Sequence, residues 1–116
     1  GKSFKKKIIM KSRIQTEELT WIEGKVKGFF GKELISLTNG GLKLIKVVSL
    51  ATYPEHIHHD KTEYAYVLEG TPEFIINSET HLGKTGDFFI FPTNIKHSIK
   101  NNTNSECILL IGSIQN

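Results

Sequence analysis

Pro54-Glu55-His56-Ile57-His58-His59-Asp60-Lys61-Thr62-Glu63, with six further residues before Gly70, holds most of what this chain reveals. In a β-strand, residues i and i+2 share a face, so His56 and His58 project together with Cα atoms roughly 6.5–7 Å apart. Two imidazoles at that spacing can converge on one metal ion, with metal–nitrogen distances of about 2.0–2.1 Å. Asp60-Lys61-Thr62 reads as a turn or bulge, and Glu63 would open the next strand as an oxygen ligand. Gly86-Asp87-Phe88-Phe89-Ile90-Phe91-Pro92 leads on to His97, which offers a fourth group from another strand.

Outward from this stretch, the chain is a series of short apolar runs cut by turn residues. Phe29-Phe30-Gly31 precedes Glu33 to Leu37, and Thr38-Asn39-Gly40-Gly41 carries the Asn-Gly signal of a tight hairpin. Leu42 to Leu50 follows. Tyr64 to Glu69 ends at Gly70, Glu73 to Ile76 ends at Asn77-Ser78, Phe88 to Phe91 stops at Pro92, and Cys107 to Ile111 stops at Gly112. Turn signals every ~8–12 residues predict an all-β antiparallel sandwich or barrel. Lys11 to Glu23 alone has room for a helix, with poor apolar spacing, and can equally be an extended arm.

These motifs resemble those of the cupins, specifically the small single-domain bacterial kind. His56, His58, four residues, Glu63, six residues and Gly70 match the family's first motif from its histidines onward. Its opening glycine is replaced by Leu50. The second motif matches at Gly86, Pro92, His97 and Asn101, with Asn94 standing for the inner glycine. Asn tolerates left-handed backbone angles better than other non-glycine residues. The resemblance implies a jelly-roll β-barrel (a double-stranded β-helix) over about residues 28–114 with an N-terminal arm. It also implies one metal inside the barrel mouth, held by His56, His58, Glu63 and His97.

Size and charge agree with one small domain. The chain has 116 residues, and its composition divides it into a basic tail over 1–13 and a single domain over 14–116. Net charge is +3, but the tail holds six of the 15 basic groups and no acid, leaving 9 basic against 12 acidic residues in the body. Basicity therefore belongs to a terminus rather than a folded face, which argues against nucleic acid as a partner. No apolar run approaches the ~18 residues of a membrane span. The apolar stretch near the start is too short for a signal-peptide core, so a cytoplasmic location is expected. The lone Cys107 excludes an intrachain disulfide and reads as a buried strand residue.

Three imidazoles and one carboxylate suit a divalent Fe, Mn, Ni, Cu or Zn ion, and ligand softness alone does not choose among them. Such a site can leave positions open for Lewis-acid chemistry or oxygen activation. The neighbours of the ligands on the same faces, Ala65, Val67 and Ile99, supply no fixed charge for an anionic substrate, and Lys96 should point away. Three functions remain. The first is a metalloenzyme of dioxygenase or isomerase type acting on a small organic molecule. The second is a non-catalytic, metal-dependent small-molecule binding or sensing module. The third, least favoured by the intact ligand set, is a metal-free sugar-binding barrel.

The other polar and aromatic candidates have plainer readings. His59 has opposite parity to His56 and His58 and should face away, and His81 should be exposed. Tyr64 and Tyr66 fall on the face opposite Glu63, and Trp21 is a packing residue. Asn101-Asn102-Thr103 fits the glycosylation triplet, a pattern that arises often by chance. A homodimer is expected, with Lys7-Ile8-Ile9-Met10 as an adhesive strand.

Overall fold

Period-two alternation of apolar residues gives each long strand one inner face, and two antiparallel sheets bury those faces against each other. The computed structural model describes residues 11–116. The basic tail up to residue 10, including the proposed adhesive segment Lys7 to Met10, lies outside the described residues.

A 3₁₀ turn at Thr16–Glu18 is followed by ten strands: β1 Ile22–Glu23, β2 Phe29–Leu37, β3 Gly40–Val47, β4 Thr52–His56, β5 Lys61–Glu69, β6 Glu73–Ile76, β7 Glu79–Leu82, β8 Phe88–Phe91, β9 His97–Lys100 and β10 Cys107–Gln115. One sheet has the order β1-β2-β3-β10-β5-β8 and the other β4-β9-β6-β7. This is the expected all-β jelly-roll barrel, and the arm over Lys11 to Glu23 is extended except for the 3₁₀ turn.

The core lies between the sheets. Val47, Ala65, Val67, Cys107 and Leu109 from the larger sheet, with Phe29, Ile45 and Phe91, pack against Phe74 and Ile99 from the smaller. Asn101 is fully buried beside them. Its Nδ2 donates to the carbonyls of Val47, Val48 and Ser105 at 3.0, 3.2 and 2.8 Å. Its Oδ1 accepts from the backbone N–H and hydroxyl of Thr103. A side chain so enclosed is an internal clamp, not a glycosylation site.

Two local expectations are corrected. The β2–β3 hairpin forms, but its two-residue loop is Thr38-Asn39, with Leu37 paired to Gly40, and neither loop residue has positive φ. The left-handed turn occurs instead at Asn77 and Ser78, φ 51° and 68°, joining β6 to β7. β10 does not stop at Gly112 but runs through it to Gln115. The glycine is needed there because a Cβ would stand 2.5 Å from the Tyr64 ring lying across the strand. At Gly70, φ is 87° and a Cβ would meet Cys107 Sγ at 2.8 Å, so the end of the first motif is fixed by both backbone and packing.

Leu50, which replaces the glycine opening that motif, sits at φ 66° and is 71% exposed. Asn94, which replaces the inner glycine of the second, sits at φ 67°. The backbone keeps glycine-like angles at both positions, strained at Leu50 and tolerated at Asn94.

Candidate metal centre

Both sheets contribute to one cluster at the open end of the barrel. β4 and β9 pair so that His56 lies opposite His97, their rings 4.2 Å apart. β5 brings Glu63 from the other sheet, opposite Phe91 on β8. His58 was expected on the same strand as His56. β4 ends at His56, however, and His58 lies two residues beyond it. Hydrogen bonds from the second motif hold it instead: Asn94 N–H donates to the His58 carbonyl at 2.7 Å, and Asn94 Oδ1 meets His59 Nδ1 at 2.6 Å. His59 thus faces away from the cluster and ties the two motifs together. The left-handed angle at Asn94 is part of this clasp.

One ligand atom each from His56, His58, Glu63 and His97 lies within 4.8 Å of the other three. Glu63 Oε1 is 3.2 Å from His58 Nε2 and 3.4 Å from His97 Nε2. His97 is 2% exposed, and among the described residues its buried Nε2 has no hydrogen-bond partner. Its ring stacks on Phe91 at 4.5 Å, which fixes the plane in which Nε2 points. His56 Nδ1 meets the Pro54 carbonyl at 2.9 Å and His97 Nδ1 meets the Ile95 carbonyl at 3.2 Å. A carbonyl can only accept, so each ring in its neutral form carries its proton on Nδ1 and presents the Nε2 lone pair. Metal-binding histidines are oriented by such bonds.

Burial pushes His56 below the ordinary imidazole value, despite the Pro54 carbonyl, and pushes His58 down as well. For Glu63, burial raises the carboxyl, but its polar neighbours, the Lys61 ammonium among them, outweigh this and leave it lowered. Neutral imidazoles and an ionised carboxylate are the forms that bind a cation. A buried, unpartnered Nε2 aimed at three other donors is the observation that fits a metal, because without one that lone pair is desolvated for nothing.

Beside the ligands is a cavity of about 360 Å³, walled by Phe29, Ile45, Tyr53, Phe91, Ile99 and Ile111. Its lining also includes Lys25, Lys43 and Lys61, which corrects the expectation of a site without fixed charge. Lys61, a turn residue by sequence, begins β5, two positions from Glu63 on the same face. Lys43 continues the inner face of β3 outward from Val47 and Ile45. The series Lys43-x-Ile45-x-Val47 carried that signal. Lys96 is exposed and absent from the lining, as expected.

Among the remaining candidates, His81 is exposed and Cys107 is a buried thiol that desolvation raises above its usual value. Tyr64 and Tyr66 lie on the outer face, with Tyr66 39% exposed. Trp21 packs under the ammonium groups of Lys32 and Lys46, 4.6 and 5.0 Å from its ring. No helix among the described residues is long and apolar enough to cross a membrane.

A jelly-roll barrel with three histidines and a glutamate converging in its mouth has the architecture of a cupin. The family model for the cupin domain matches residues 46–112, and the chain belongs to that family. No curated protein matches the sequence. Among solved structures, a predicted oxalate decarboxylase from Thermotoga maritima is similar at 21% identity and a TM-score of 0.83, covering 90% of this chain and 99% of its own. The polyketide cyclase RemF from Streptomyces resistomycificus is similar at 20% identity and a TM-score of 0.78, covering 90% and 80%. A sugar phosphate isomerase of the cupin superfamily from Silicibacter pomeroyi follows at 18% and 0.77, covering 90% and 76%. At these identities the likeness is one of fold.

Proposed function

We propose that this cupin is a small metalloenzyme, of dioxygenase or isomerase type, acting on a small organic molecule through one divalent transition metal held by His56, His58, Glu63 and His97. The observation that carries this reading is the buried, unpartnered Nε2 of His97, aimed at donor atoms from His56, His58 and Glu63. The structural neighbours described as a decarboxylase, a cyclase and an isomerase support chemistry in such a barrel, though not any one reaction. The metal, Fe, Mn, Ni, Cu or Zn, would supply Lewis acidity or, if redox-active, oxygen activation. The chain's own part is to hold His56 and His97 in one tautomer, keep Glu63 ionised, and shield the ligands with Phe91, Ile99 and Ile111.

Glu63→Gln keeps the side chain's shape and removes its charge. The Fe(II) form is expected to consume dioxygen with a small phenol, diol or thiol, or to isomerise its substrate under nitrogen, and the variant is expected to lose that turnover while remaining folded. Ligand-dependent melting shifts in both the iron and zinc forms, with no product by mass spectrometry across such a panel, would replace the enzyme by a binding or sensing module. We propose in addition that the protein works as a cytoplasmic homodimer. Exposed Tyr66, Leu68, Phe88 and Ile90 on β5 and edge strand β8 support the pairing.

A further inference from the structure

The lining of the metal cavity pairs three lysines with a single acid. Lys25, Lys43 and Lys61 face it, and Glu63 is the one carboxylate among its described lining residues. A second depression of about 330 Å³ follows the β2–β3 hairpin and shares Lys43, Lys61, Glu63 and Ile111 with the first. Two of the lysines therefore stand at the seam where the metal cavity opens into an outer groove. The groove adds one acid, Glu33, which faces Lys43 across the β2–β3 ladder. Among the described residues Lys43 makes no ion pair within 4.0 Å.

Lys61 is the one lysine partly neutralised, its Nζ 3.7 Å from Glu63 Oε2. When Glu63 gives its charge to a cation, that counter-charge is shared and the field of Lys61 turns toward the cavity. Lys25 stands near enough to His56 for its charge to act on the imidazole. Cation and lysines together make a positive funnel with apolar walls, a shape that focuses the field and draws in small anions. A lysine ammonium is a point charge and takes a carboxylate or a phosphate alike.

We propose that the substrate is a small organic anion spanning this cavity, with one oxygen-bearing group at the metal and a second, anionic group at the Lys43–Lys61 seam, assisted by Lys25. The inference rests on the metal reading above and adds the substrate class. The cavity is near the lower end of the ~300–1,000 Å³ usual for ligand pockets, which limits the occupant to a compact molecule.

The test is calorimetric titration of zinc-loaded protein, with zinc content measured first by elemental analysis. Malonate, succinate and glutarate supply two carboxylates at increasing span, 2-phosphoglycolate replaces one by phosphate, and propionate has a single carboxylate. At least one dianion is expected to bind more tightly than propionate, with an affinity that falls as salt is added. K25Q/K43Q, which alters two exposed side chains outside the ligand set, is expected to weaken that dianion about fivefold or more and to weaken propionate by clearly less. The better of the carboxylate and phosphate probes identifies the terminal group. Retained zinc with no preference for any dianion, or a preference that K25Q/K43Q does not reduce, would overturn the proposal and leave the metal reading standing. Failure of the wild-type protein to hold zinc would overturn both.

Discussion

The floor and the mouth of the barrel are built from the same strands, yet their inner faces carry opposite chemistry. Across β3, β10 and β5, Val47 pairs with Cys107, and Ile45 with Leu109 and then Val67. These residues are at most 9% exposed. Further along the same ladder, Lys43 pairs with Ile111, and Ser113 with Glu63. The smaller sheet repeats the change, from Phe74 opposite Ile99 to Ile76 opposite His97, with His56 beyond. Few residues along a strand thus separate the part that stabilises the protein from the part that can react. The rigidity of the floor is what permits a mouth where lone pairs and charges converge without collapsing on one another.

The largest effect expected from breaking this division is at the floor. Asn101→Ala removes the donors to three backbone carbonyls, of Val47, Val48 and Ser105. Leaving such groups buried and unpaired should cost about 3 kcal/mol in urea denaturation. Metal content of the folded protein should stay unchanged. A loss under 1 kcal/mol, or a parallel loss of metal, would show that floor and mouth are not separate.

A smaller effect should come from the mouth, through pH. In the metal-free protein His56 and His58 titrate below their ordinary value of 6.5, because burial penalises the imidazolium. The unfolded chain therefore binds more protons just below that value. Stability should be full above pH 6.5 and fall as the solution is acidified toward the folded-state values. The lowered Glu63 adds a further loss on protonation, below its ordinary 4.5. Denaturation midpoints of chelated protein from pH 8 to pH 4 would check this, and a midpoint constant or rising between pH 7 and pH 5 would count against it.

The smallest effect expected is a gain, at the floor. Leu50 holds a left-handed angle that costs a side-chain-bearing residue roughly 1–2 kcal/mol, while glycine there would lose roughly 0.5–1 kcal/mol through the freer unfolded chain. Leu50→Gly should therefore stabilise the protein by about 0.5–1 kcal/mol, measured by urea denaturation. Destabilisation would mean that exposed Leu50 makes contacts worth more than its strain.

The legible and illegible parts of the sequence divide along physical lines. Strands with one buried face were read from their alternation, and Glu63, Ala65 and Val67 fell on the inner face as parity required. The four residues now clustered in the mouth were visible because their spacing matches a known pair of motifs. β7 was missed because all four of its residues are exposed and give no apolar alternation. The extension of β10 past Gly112 was hidden because glycine reads as a stop unless the ring lying over it is known. Lys61 reads as a turn residue and Lys43 as a solvated one, since lysine usually signals a solvated face; only the closed barrel shows that those faces turn inward. His58 reaches the cluster by a route the sequence did not suggest, through Asn94 rather than through β4.

The central claim, that the mouth is a metal centre of four named ligands, is tested most directly by elemental analysis of protein purified without added chelator, beside His58→Ala prepared in the same way. About one divalent transition metal per wild-type chain is expected, and little or none in the variant, which should still fold because His58 lies beyond the end of β4 and outside the core. Wild-type protein without metal even after incubation with Fe, Mn, Ni, Cu and Zn salts would contradict it. So would a His58→Ala protein holding the same metal at the same stoichiometry.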